Sequence, residues 1–387
     1  MMLQDVKQAV KPETFRFEVL YQSKISRARV GRIITPHGII NTPNFVAVGT
    51  NGSLKALHNH DHQELDVQLM FCNTYHLMVQ PGTALIKACG GLHQFINRHQ
   101  PIITDSGGFQ VFSLAYGNVA KELKGQGGKK HPPSIMKVTE EGVNFRSYRD
   151  GAKIFLSPET SVLAQKDLGS DIIIPLDELL PYHVDDAKLK ASFERTHRWE
   201  LRSLTEHLKN RQNQAMFAVV HGGTDLALRQ RSCALLSNEA FDGFSIGGSL
   251  GCDHSQLHET VGGTMPHLPP EAPVHLLGVG DVDSINHCIP LGIDTFDSSY
   301  PSKVARHGMI LTSEGPIKIT RLQHARELIP LEPGCPCSTC QHYTRAYIHH
   351  LFKAKEPSAA SLATWHNIRF MTRWLEKIRT EIMCGLI

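Results

Sequence analysis

The sequence predicts an α/β protein whose strands close into a (β/α) barrel, and two features support this fold class. The first is a repeated unit in which a short apolar stretch ends in a polar or glycine-rich turn and a helix-length spacer follows. Strands that are apolar along their whole length are buried on both faces, as in parallel sheets covered by helices. The stretches of this form span residues 101–110, 171–178, 216–223, 241–248, 275–281 and 292–299.

The second feature is the position of the polar residues, which favours a barrel over an open doubly wound sheet. The carboxyl ends of barrel strands meet at one mouth, where active sites form. No GxGxxG motif opens a helix after the first strand, as a dinucleotide-binding sheet would require. A turn residue is the simplest interpretation of any single strand end, but five such ends favour a shared site. The residues concerned are Asp105, Asp177, His221, Gly248 and Asp297.

The composition is that of a globular protein. Of the 387 residues, 41% are hydrophobic and 20% are charged, which excludes disordered, collagen-like and disulfide-dense chains. The net charge is only +3, so a nucleic acid would be bound by a local basic surface. The first residues lack the apolar core of a signal peptide, and no apolar run is long enough to span a membrane. We therefore expect a cytoplasmic protein without a membrane partner.

Three further segments complete the predicted organisation. Residues 186–211 carry apolar side chains at helical spacing and are predicted to form a helix. The stretch 121–137 is rich in Gly, Pro and Lys and is predicted to be a long inserted loop, either simply solvated or in contact with phosphate. After residue 330 a cysteine-rich stretch leads into a helix to about Lys355 and then a final helix with one apolar face. We therefore divide the chain into an N-terminal tail (1–14), a barrel (15–330) and a metal-binding subdomain with a closing helix (331–387).

Three of the nine cysteines lie within six residues, in the sequence CPCSTC from Cys335 to Cys340. A tight turn at this spacing can bring the sulfurs of Cys335, Cys337 and Cys340 onto one tetrahedral ion. A closed, sulfur-rich ligand set suits structural zinc and leaves no open position for catalysis. The spacing leaves the fourth ligand open among His342, His349, His350, His366 and Cys384.

Several motifs occur in a characteristic order along the chain. They are Asn73–Leu77 (NTYHL), Asp105–Gln110 (DSGGFQ), Gly278–Gly280 (GVG), Phe296–Asp297, the clustered cysteines and Tyr347–His350 (YIHH). From about Phe15 to the C-terminus the chain resembles the queuine tRNA-ribosyltransferases, also called tRNA-guanine transglycosylases. The resemblance implies an irregular (β/α)8 TIM barrel with a C-terminal zinc-binding subdomain. It also implies exchange of the wobble guanine in tRNAs with a GUN anticodon (those for aspartate, asparagine, histidine and tyrosine) for a 7-deazaguanine base.

The resemblance further implies roles for individual residues. Asp297 is expected to be the nucleophile that attacks the ribose, and Asp105 the proton acceptor for the incoming base. A carboxylate can trap an oxocarbenium-like centre and so divide the substitution into two retaining steps. His366 is implied as the fourth ligand of one structural Zn²⁺ per chain. A homodimer is also implied, in which one subunit catalyses while the other helps to hold the tRNA.

An extruded base must be recognised at its edge and stacked on its faces. Ionised Asp177 can only accept hydrogen bonds, which suits the donor edge of guanine, and Phe109 and Leu277 are expected to sandwich the ring. The base-binding residues implied by the resemblance are Asn73, Asp105, Ser106, Phe109, Asp177, His221, Gly248, Gly251 and Leu277. The implied tRNA-binding residues are Gly278, Val279, Gly280, Asp281, Ser284, Lys303 and Arg306.

Several positions depart from the family pattern. His221 stands where most members carry Gln; a neutral imidazole can still donate one N–H to the guanine carbonyl, with a pH dependence that Gln lacks. Ser298 replaces a Cys, and Lys303 replaces an Arg. Gly251 lies where bacterial members carry a Val that narrows the pocket, and Leu179 replaces a bacterial Cys. Because apolar pockets discriminate by steric exclusion, we hypothesise that queuine is accepted at least as well as 7-aminomethyl-7-deazaguanine.

Four other functions fit parts of the sequence less well. A non-catalytic accessory subunit of the eukaryotic heterodimer would lack the catalytic aspartates. An archaeal-type enzyme that acts on the tRNA D-loop usually carries an added RNA-binding domain. A metal-dependent TIM-barrel hydrolase would need Asp105, His221 or Asp297 as metal ligands. A zinc-stabilised interaction module would not need carboxylates at the strand ends.

Overall fold

The first described strands form a small antiparallel sheet. The computed structural model describes residues 14–62, 64–115, 135–147, 149–180 and 184–387, so all but the last residue of the predicted tail lies outside the described residues. The sheet consists of β1 (Arg16–Gln22), β2 (Arg29–Thr35) and β3 (Gly38–Thr42). A buried ion pair joins it to the chain just before the last barrel strand, because Arg29 Nη2 lies 2.6 Å from Asp294 Oδ2. The sheet therefore covers the amino-terminal end of the barrel.

Eight parallel strands then close into the predicted barrel. Around the barrel the strands follow their order in the chain, and the last strand pairs with the first. The barrel strands are β4 (Asn44–Val48), β5 (Met70–Cys72), β6 (Ile102–Thr104), β10 (Ile172–Ile173), β11 (Ala215–Val220), β12 (Gly243–Ile246), β13 (Val274–Leu276) and β14 (Thr295–Ser298). In β11 all six residues are buried, as expected for a parallel strand covered by helices. The barrel fold class is confirmed.

Two smaller antiparallel sheets are inserted in this frame. One contains β7 (Ile135–Val138), β8 (Val143–Arg146) and β9 (Lys153–Leu156), and the other pairs β15 (Met309–Ile310) with β16 (Ile317–Lys318). Most of the predicted inserted loop, residues 121–134, lies outside the described residues. Residues 135–137 belong to β7, so this end of the stretch is a paired strand instead of a loop.

The helices follow the strands and cover the barrel. They are α1 (Thr74–Val79), α2 (Thr83–Ala88), α3 (Leu92–Phe95), α4 (Gly108–Ala115), α5 (Pro158–Leu168), α6 (Asp186–Lys209), α7 (Leu226–Leu236), α8 (His254–Thr264), α9 (Val282–Cys288), α10 (Tyr300–Ala305), α11 (Ser338–His342), α12 (Arg345–Ala354) and α13 (Pro357–Met383). The predicted helix over 186–211 is α6, and it begins where the Asp185 carboxylate accepts the Lys188 N–H at 2.8 Å. Among the described residues, no helix is both long and apolar enough to cross a membrane.

The final helix packs its apolar face against the barrel. Arg379 Nη1 donates to the Pro43 carbonyl at 2.8 Å, and Thr372 Oγ1 donates to the Leu65 carbonyl at 2.9 Å. The predicted apolar face of the final helix is buried, and it consists of Ile368, Met371, Leu375, Ile378 and Ile382. α13 therefore connects the cysteine-rich segment to the first barrel strands.

Candidate active site and metal centre

The predicted polar residues lie at the carboxyl ends of neighbouring barrel strands. Asp105 follows β6, His221 follows β11, and Asp297 lies in β14. Asp177 and Gly248 lie in the segments after β10 and β12. Because these strands are parallel neighbours in one closed barrel, their carboxyl ends open onto the same mouth.

Four hydrogen bonds hold the Asp105 carboxylate inside this mouth. Its Oδ1 accepts the backbone N–H groups of Thr74 at 2.8 Å and Gly107 at 3.1 Å. Its Oδ2 accepts the side-chain amides of Asn73 at 2.6 Å and Gln110 at 2.9 Å. The carboxylate therefore has one fixed orientation, and Asn73, expected to contact the base, donates to Asp105.

The burial of Asp105 changes its acidity. Burial raises the pKa of Asp105 to about 6, although the hydrogen bonds from Asn73, Gln110, Thr74 and Gly107 oppose this by favouring the ionised form. A carboxyl group with a pKa just below neutrality is ionised at neutral pH and still basic enough to take a proton. Asp105 is therefore suited to general-base chemistry.

Asp177 connects two of the other predicted base-binding residues. The Ser106 hydroxyl donates to Asp177 Oδ1 at 3.3 Å, and His221 Nε2 lies 3.1 Å from Asp177 Oδ2. Because a carboxylate only accepts, His221 carries its proton on Nε2 in this contact. His221 is also close to Gly248, since a Cβ on Gly248 would lie 3.2 Å from His221 Nδ1. These four residues therefore form one polar cluster.

A buried chain of hydrogen bonds fixes the backbone at His221. Its N–H donates to Ser232 Oγ at 3.1 Å, and Ser232 Oγ lies 2.8 Å from His197 Nε2. His197 Nδ1 donates to the Phe193 carbonyl at 2.7 Å, so Nε2 accepts the Ser232 hydroxyl proton. Burial lowers the pKa of His197 to about 4, so this ring stays neutral. His221 is thus supported from α6 and α7.

Asp297 is buried in the mouth with one oxygen occupied. Its Oδ1 accepts the Gly278 N–H at 2.8 Å and lies 3.1 Å from His275 Nε2. Among the described residues no donor binds Oδ2. One oxygen is therefore held by the protein while the other is available to a substrate.

Gly251 has a backbone reason to be glycine. Its φ is +106°, a conformation that other residues rarely adopt, and a Cβ would lie 2.4 Å from the Gln256 Cβ in α8. The missing side chain would thus point towards the first turn of α8. The hypothesis that a missing side chain at Gly251 enlarges the pocket draws no support from this geometry.

The expected stacking and tRNA-binding residues differ in accessibility. Phe109 is 51% exposed at the start of α4, and Leu277 is partly exposed after β13. Gly278 and Lys303 are exposed, and Val279 and Arg306 are partly exposed, whereas Gly280 is buried. The carboxylate of Asp281 accepts the N–H of buried Ser284 at 2.9 Å and so begins α9. Asp281 and Ser284 therefore have a structural role in positioning this turn.

The clustered cysteines and His366 form a group that could bind a metal ion. All four residues are buried and their ligand atoms lie within 4.8 Å of one another. His366 Nδ1 lies 3.8 Å from Cys335 Sγ, 3.5 Å from Cys337 Sγ and 3.3 Å from Cys340 Sγ. A tetrahedral zinc site with bonds of about 2.3 Å to sulfur and 2.05 Å to nitrogen has N to S edges of about 3.6 Å. The donor set and its dimensions therefore fit zinc.

A hydrogen bond orients the histidine of this group. His366 Nε2 donates to the Leu311 carbonyl at 2.8 Å, which leaves the Nδ1 lone pair facing the sulfurs. Among the other candidates for fourth ligand, His349 is committed to the Ile319 carbonyl at 2.8 Å. The geometry thus selects His366.

A second histidine cluster lies at the opposite end of the barrel. His37 Nδ1 lies 2.8 Å and His93 Nε2 3.1 Å from the two oxygens of Asp171, which also accepts the Ile102 N–H at 2.9 Å. The two rings are stacked with centroids 3.5 Å apart and planes 12° apart. Imidazole lone pairs lie in the ring plane, and two stacked planes do not share one ion. This cluster is therefore a hydrogen-bonded support for Asp171.

These two clusters bear on the hydrolase alternative. They are the groups in the described part of the chain whose potential ligand atoms lie close together, and neither contains Asp105, His221 or Asp297. A metal-dependent hydrolase would require an ion at those strand ends, so the structure gives that alternative no support.

Sequence reasoning missed three supporting groups. His275, which contacts Asp297, lies inside a strand and resembles a core residue. The Thr74 N–H is a backbone donor and has no side-chain signature. Gln110 belongs to the DSGGFQ motif, and this membership was the sequence feature that could have indicated its contact with Asp105.

Comparison with known proteins identifies the family. The family model described as queuine tRNA-ribosyltransferase matches residues 24–386. The chain belongs to the queuine tRNA-ribosyltransferase family. Among curated queuine tRNA-ribosyltransferases, the one from Protochlamydia amoebophila is 60% identical over 373 residues, which cover 96% of each chain. Those from Chlamydia abortus and Chlamydia trachomatis serovar D are each 56% identical over 369 residues, covering 95% of this chain and 98% of the relative.

Membership of the queuine tRNA-ribosyltransferase family confirms the resemblance that the motifs indicated. The closed barrel of eight parallel strands agrees with the (β/α)8 expectation. The queuine tRNA-ribosyltransferase relatives match almost the whole chain, so the similarity covers both the barrel and the cysteine-rich segment.

Proposed function

We propose that this protein is a tRNA-guanine transglycosylase that exchanges the wobble guanine of GUN-anticodon tRNAs for a 7-deazaguanine base. The observation that carries the proposal is the pair of buried carboxylates at one barrel mouth, Asp105 and Asp297, each held by different donors. Two carboxylates in different environments can perform different steps of one reaction. The family of the chain supports this assignment.

In the first step Asp297 Oδ2 attacks the anomeric carbon of the ribose. The bond from that carbon to guanine N9 breaks, guanine leaves with the bonding electrons and takes up a proton from solvent, and an ester joins Asp297 to the tRNA. The Gly278 N–H and His275 hold Oδ1 and so direct the other oxygen to the substrate. Preorganised orientation of this kind lowers the entropic cost of attack.

In the second step the incoming base replaces Asp297. Asp105 removes the proton from N9 of the base, N9 attacks the anomeric carbon, and the ester bond breaks to regenerate the Asp297 carboxylate. Two successive inversions retain the configuration. A pKa of about 6 for Asp105, raised by burial, matches the needs of this proton transfer near neutral pH.

The polar cluster around Asp177 is proposed to recognise the base. Asp177 accepts hydrogen bonds from the ring N–H and the exocyclic amine, with Ser106 beside it. When the base takes its place on Asp177, the His221 Nε2–H is proposed to turn from Asp177 Oδ2 to the ring carbonyl, which also accepts the Gly248 N–H. Phe109 and Leu277 stack on the two faces of the ring. The exposed side chain of Phe109 offers an apolar surface on which an extruded base can stack.

Residues around the mouth are proposed to bind the anticodon loop. Lys303 is exposed on α10, which follows the strand of Asp297, and Arg306 comes directly after this helix. Phosphate contacts from such basic residues position a nucleic acid without selecting its sequence. The turn 278–284 is proposed to contribute as well, because the Gly278 N–H donates to Asp297 and so places the start of this turn at the mouth.

The group Cys335, Cys337, Cys340 and His366 is proposed to hold one structural zinc ion. When bound, zinc supplies a four-ligand cross-link that stabilises the fold and no open position for chemistry. We propose residues 15–330 as the catalytic barrel and 331–387 as the zinc-binding subdomain with the closing helix.

A homodimer is proposed from the exposed aromatic side chains of α12 and of the residue Tyr343 just before it. The rings of Tyr343 and Tyr347 stack with centroids 5.4 Å apart, and His350 extends this row. Tyr347 is 45% exposed. Exposed aromatic side chains in a row are typical of the centre of a protein interface.

The test is displacement of radiolabelled wobble guanine from a GUN-anticodon tRNA by each candidate base. The wild-type protein is expected to release the label, and Asp297→Asn is expected to release none. Asp105→Asn is expected to form the ester but not resolve it, so a tRNA-linked protein should accumulate on a denaturing gel. Failure of the wild-type protein to release label with any 7-deazaguanine base would refute the proposed function.

A further inference from the structure

A buried guanidinium connects two segments of the proposed base-binding cluster. Arg229 lies near the start of α7, and its side chain is fully buried. It donates hydrogen bonds of 2.8 to 3.1 Å to four backbone carbonyls, those of Val220, Gly223, Gly247 and Ser249. Two of these carbonyls come from residues around His221, and the other two directly flank Gly248. One side chain therefore joins the segments that carry the proposed donors to the ring carbonyl of the base.

The bond from Arg229 to Gly247 determines the direction of the Gly248 N–H. The Gly247 carbonyl and the Gly248 N–H belong to one trans peptide group, so they face opposite sides of the chain. Because the carbonyl faces Arg229, the N–H faces away from it. Gly248 is partly exposed, and among the described residues no acceptor binds its N–H. Arg229 thus fixes the direction of a donor that a ligand can reach.

The guanidinium also brings a positive charge to this position. Burial lowers the pKa of Arg229 to about 10, so the side chain remains charged at neutral pH. In the part of the chain that the structure describes, no carboxylate forms an ion pair with it. A Cβ on Gly248 would lie 3.8 Å from Arg229 Nη2, so the charge is close to the Gly248 backbone. A charged donor polarises the peptide group that it binds, which strengthens the N–H of that group as a donor.

Both steps of the proposed exchange place negative charge on a base. Guanine leaves with the bonding electrons at N9, and the incoming base loses its N9 proton to Asp105. The C4–C5 double bond connects N9 with the carbonyl group, so the charge formed at N9 is shared with the carbonyl oxygen. This oxygen is the proposed acceptor of the Gly248 N–H. Donors whose orientation is fixed before the reaction stabilise such developing charge most effectively.

We propose that Arg229 is a positioning residue that stabilises the anionic form of the base, acting through the peptide group between Gly247 and Gly248. The inference rests on the proposed function. A purely structural role would need only the four hydrogen bonds. The proposed role also needs the positive charge, and it makes the effect of Arg229 depend on the acidity of the base.

The test measures kcat/KM for two incoming bases of different acidity, 7-cyano-7-deazaguanine and 7-methyl-7-deazaguanine. In a double-displacement reaction this quantity reports the half-reaction of the incoming base. The cyano group withdraws electrons and makes N9 more acidic, so the anion of this base needs less stabilisation. Arg229→Gln removes the charge and should lower kcat/KM about 100-fold for the methyl base but only about tenfold for the cyano base.

A charge-retaining variant completes the test. Arg229→Lys offers fewer donors, so both values may fall, but the ratio between the two bases should stay within about threefold of the wild-type ratio because the charge is kept. Arg231→Met, at an exposed position of the same helix, is the matched control and should change neither value. Thermal melting of each variant reports whether it is folded.

Equal losses for the two bases in Arg229→Gln, or no loss, would overturn the proposed role. If Arg229→Gln does not fold, Arg229→Lys still decides, because a changed ratio between the bases in that variant would contradict a role for the charge. If neither base displaces guanine with the wild-type protein, the proposed function itself is wrong, which is a different result from a failure of the role of Arg229.

Discussion

His275 Nε2 lies 3.1 Å from Asp297 Oδ1, and the same ring places Nδ1 2.8 Å from Thr295 Oγ1. Because the carboxylate only accepts, Nε2 is the donor in its contact with Asp297, and the Thr295 hydroxyl is the hydrogen-bond partner of Nδ1. The ring is fully buried. The His275 ring thus fixes the carboxylate proposed to attack the ribose.

The first prediction concerns this positioning residue. His275→Ala should lower kcat for base exchange about 100-fold because the carboxylate loses its fixed orientation, with little change in KM for the base. His275→Gln retains an N–H near the position of Nε2 and should recover most of the loss. Equal activity of the Ala and Gln variants in single-turnover ester formation would show that His275 contributes packing only.

The second prediction concerns the pH dependence of exchange. Asp105 acts in its ionised form, so activity should rise with pH through its pKa of about 6, which burial raises. The Asn73 amide stabilises the ionised form of Asp105, so Asn73→Ala should raise the pKa of Asp105. The acid limb of the kcat/KM profile should then move to higher pH. The expected shift is about one pH unit, which corresponds to a hydrogen bond of about 1.4 kcal/mol. Asn238→Ala, at an exposed helix end, provides the control. An unmoved acid limb would assign that limb to another group.

The third prediction concerns His221. His221→Gln should keep kcat/KM for exchange within about tenfold, because the amide retains a donor for the ring carbonyl and the backbone N–H bond to Ser232 does not depend on the side chain. His221→Leu removes the donor and should lose far more. Thermal melting of both variants distinguishes a loss of recognition from a loss of folding.

The fourth prediction concerns the metal centre. Cys340→Ser should lose the bound metal, measured by mass spectrometry of the native protein, and should lower Tm by about 5 °C or more because a cross-link between α11 and α13 is lost. Cys89→Ser, at an exposed single cysteine, should change neither quantity. Full metal content in Cys340→Ser would exclude this cysteine as a ligand.

The fifth prediction concerns the subunit interface. Sedimentation of the wild-type protein should give twice the chain mass of 43.1 kDa, and Tyr347→Ala should shift the population towards the single chain because an aromatic anchor is lost. Leu235→Ala, an exposed apolar residue on α7, is the matched control. A wild-type protein that sediments as one chain at micromolar concentration would contradict the homodimer.

Much of the fold was predictable because six barrel strands are continuous apolar runs that stop at a polar residue, as in β11. β4 and β5 were not among the predicted strands. β5 has three residues, Met70–Cys72, which is too short to show a period. The pairing of β7 with β8 was also hidden, since the predicted Gly-, Pro- and Lys-rich loop extended to residue 137 and so included most of β7.

For the site, the positions of the residues along the chain were predictable, but the orientations of their side chains were not. The strand-end positions of Asp105 and Asp297 were predictable from the apolar runs, whereas their roles came only from the family resemblance. The orientation of these carboxylates was not predictable, because it depends on backbone donors such as Thr74 N–H and on His275, which belongs to a neighbouring strand. Sequence spacing locates a side chain on a strand but does not show which donors surround it.

The pairing of β14 with β4 has a consequence for synthesis of the protein. Asp297 lies opposite Val46, so the proposed nucleophile is carried by the strand that closes the barrel against its first strand. A nascent chain that stops before this strand has an open barrel edge and lacks the nucleophile. A product truncated there is therefore expected to form no covalent adduct with tRNA, because the proposed nucleophile and the strand that seals the barrel are one segment.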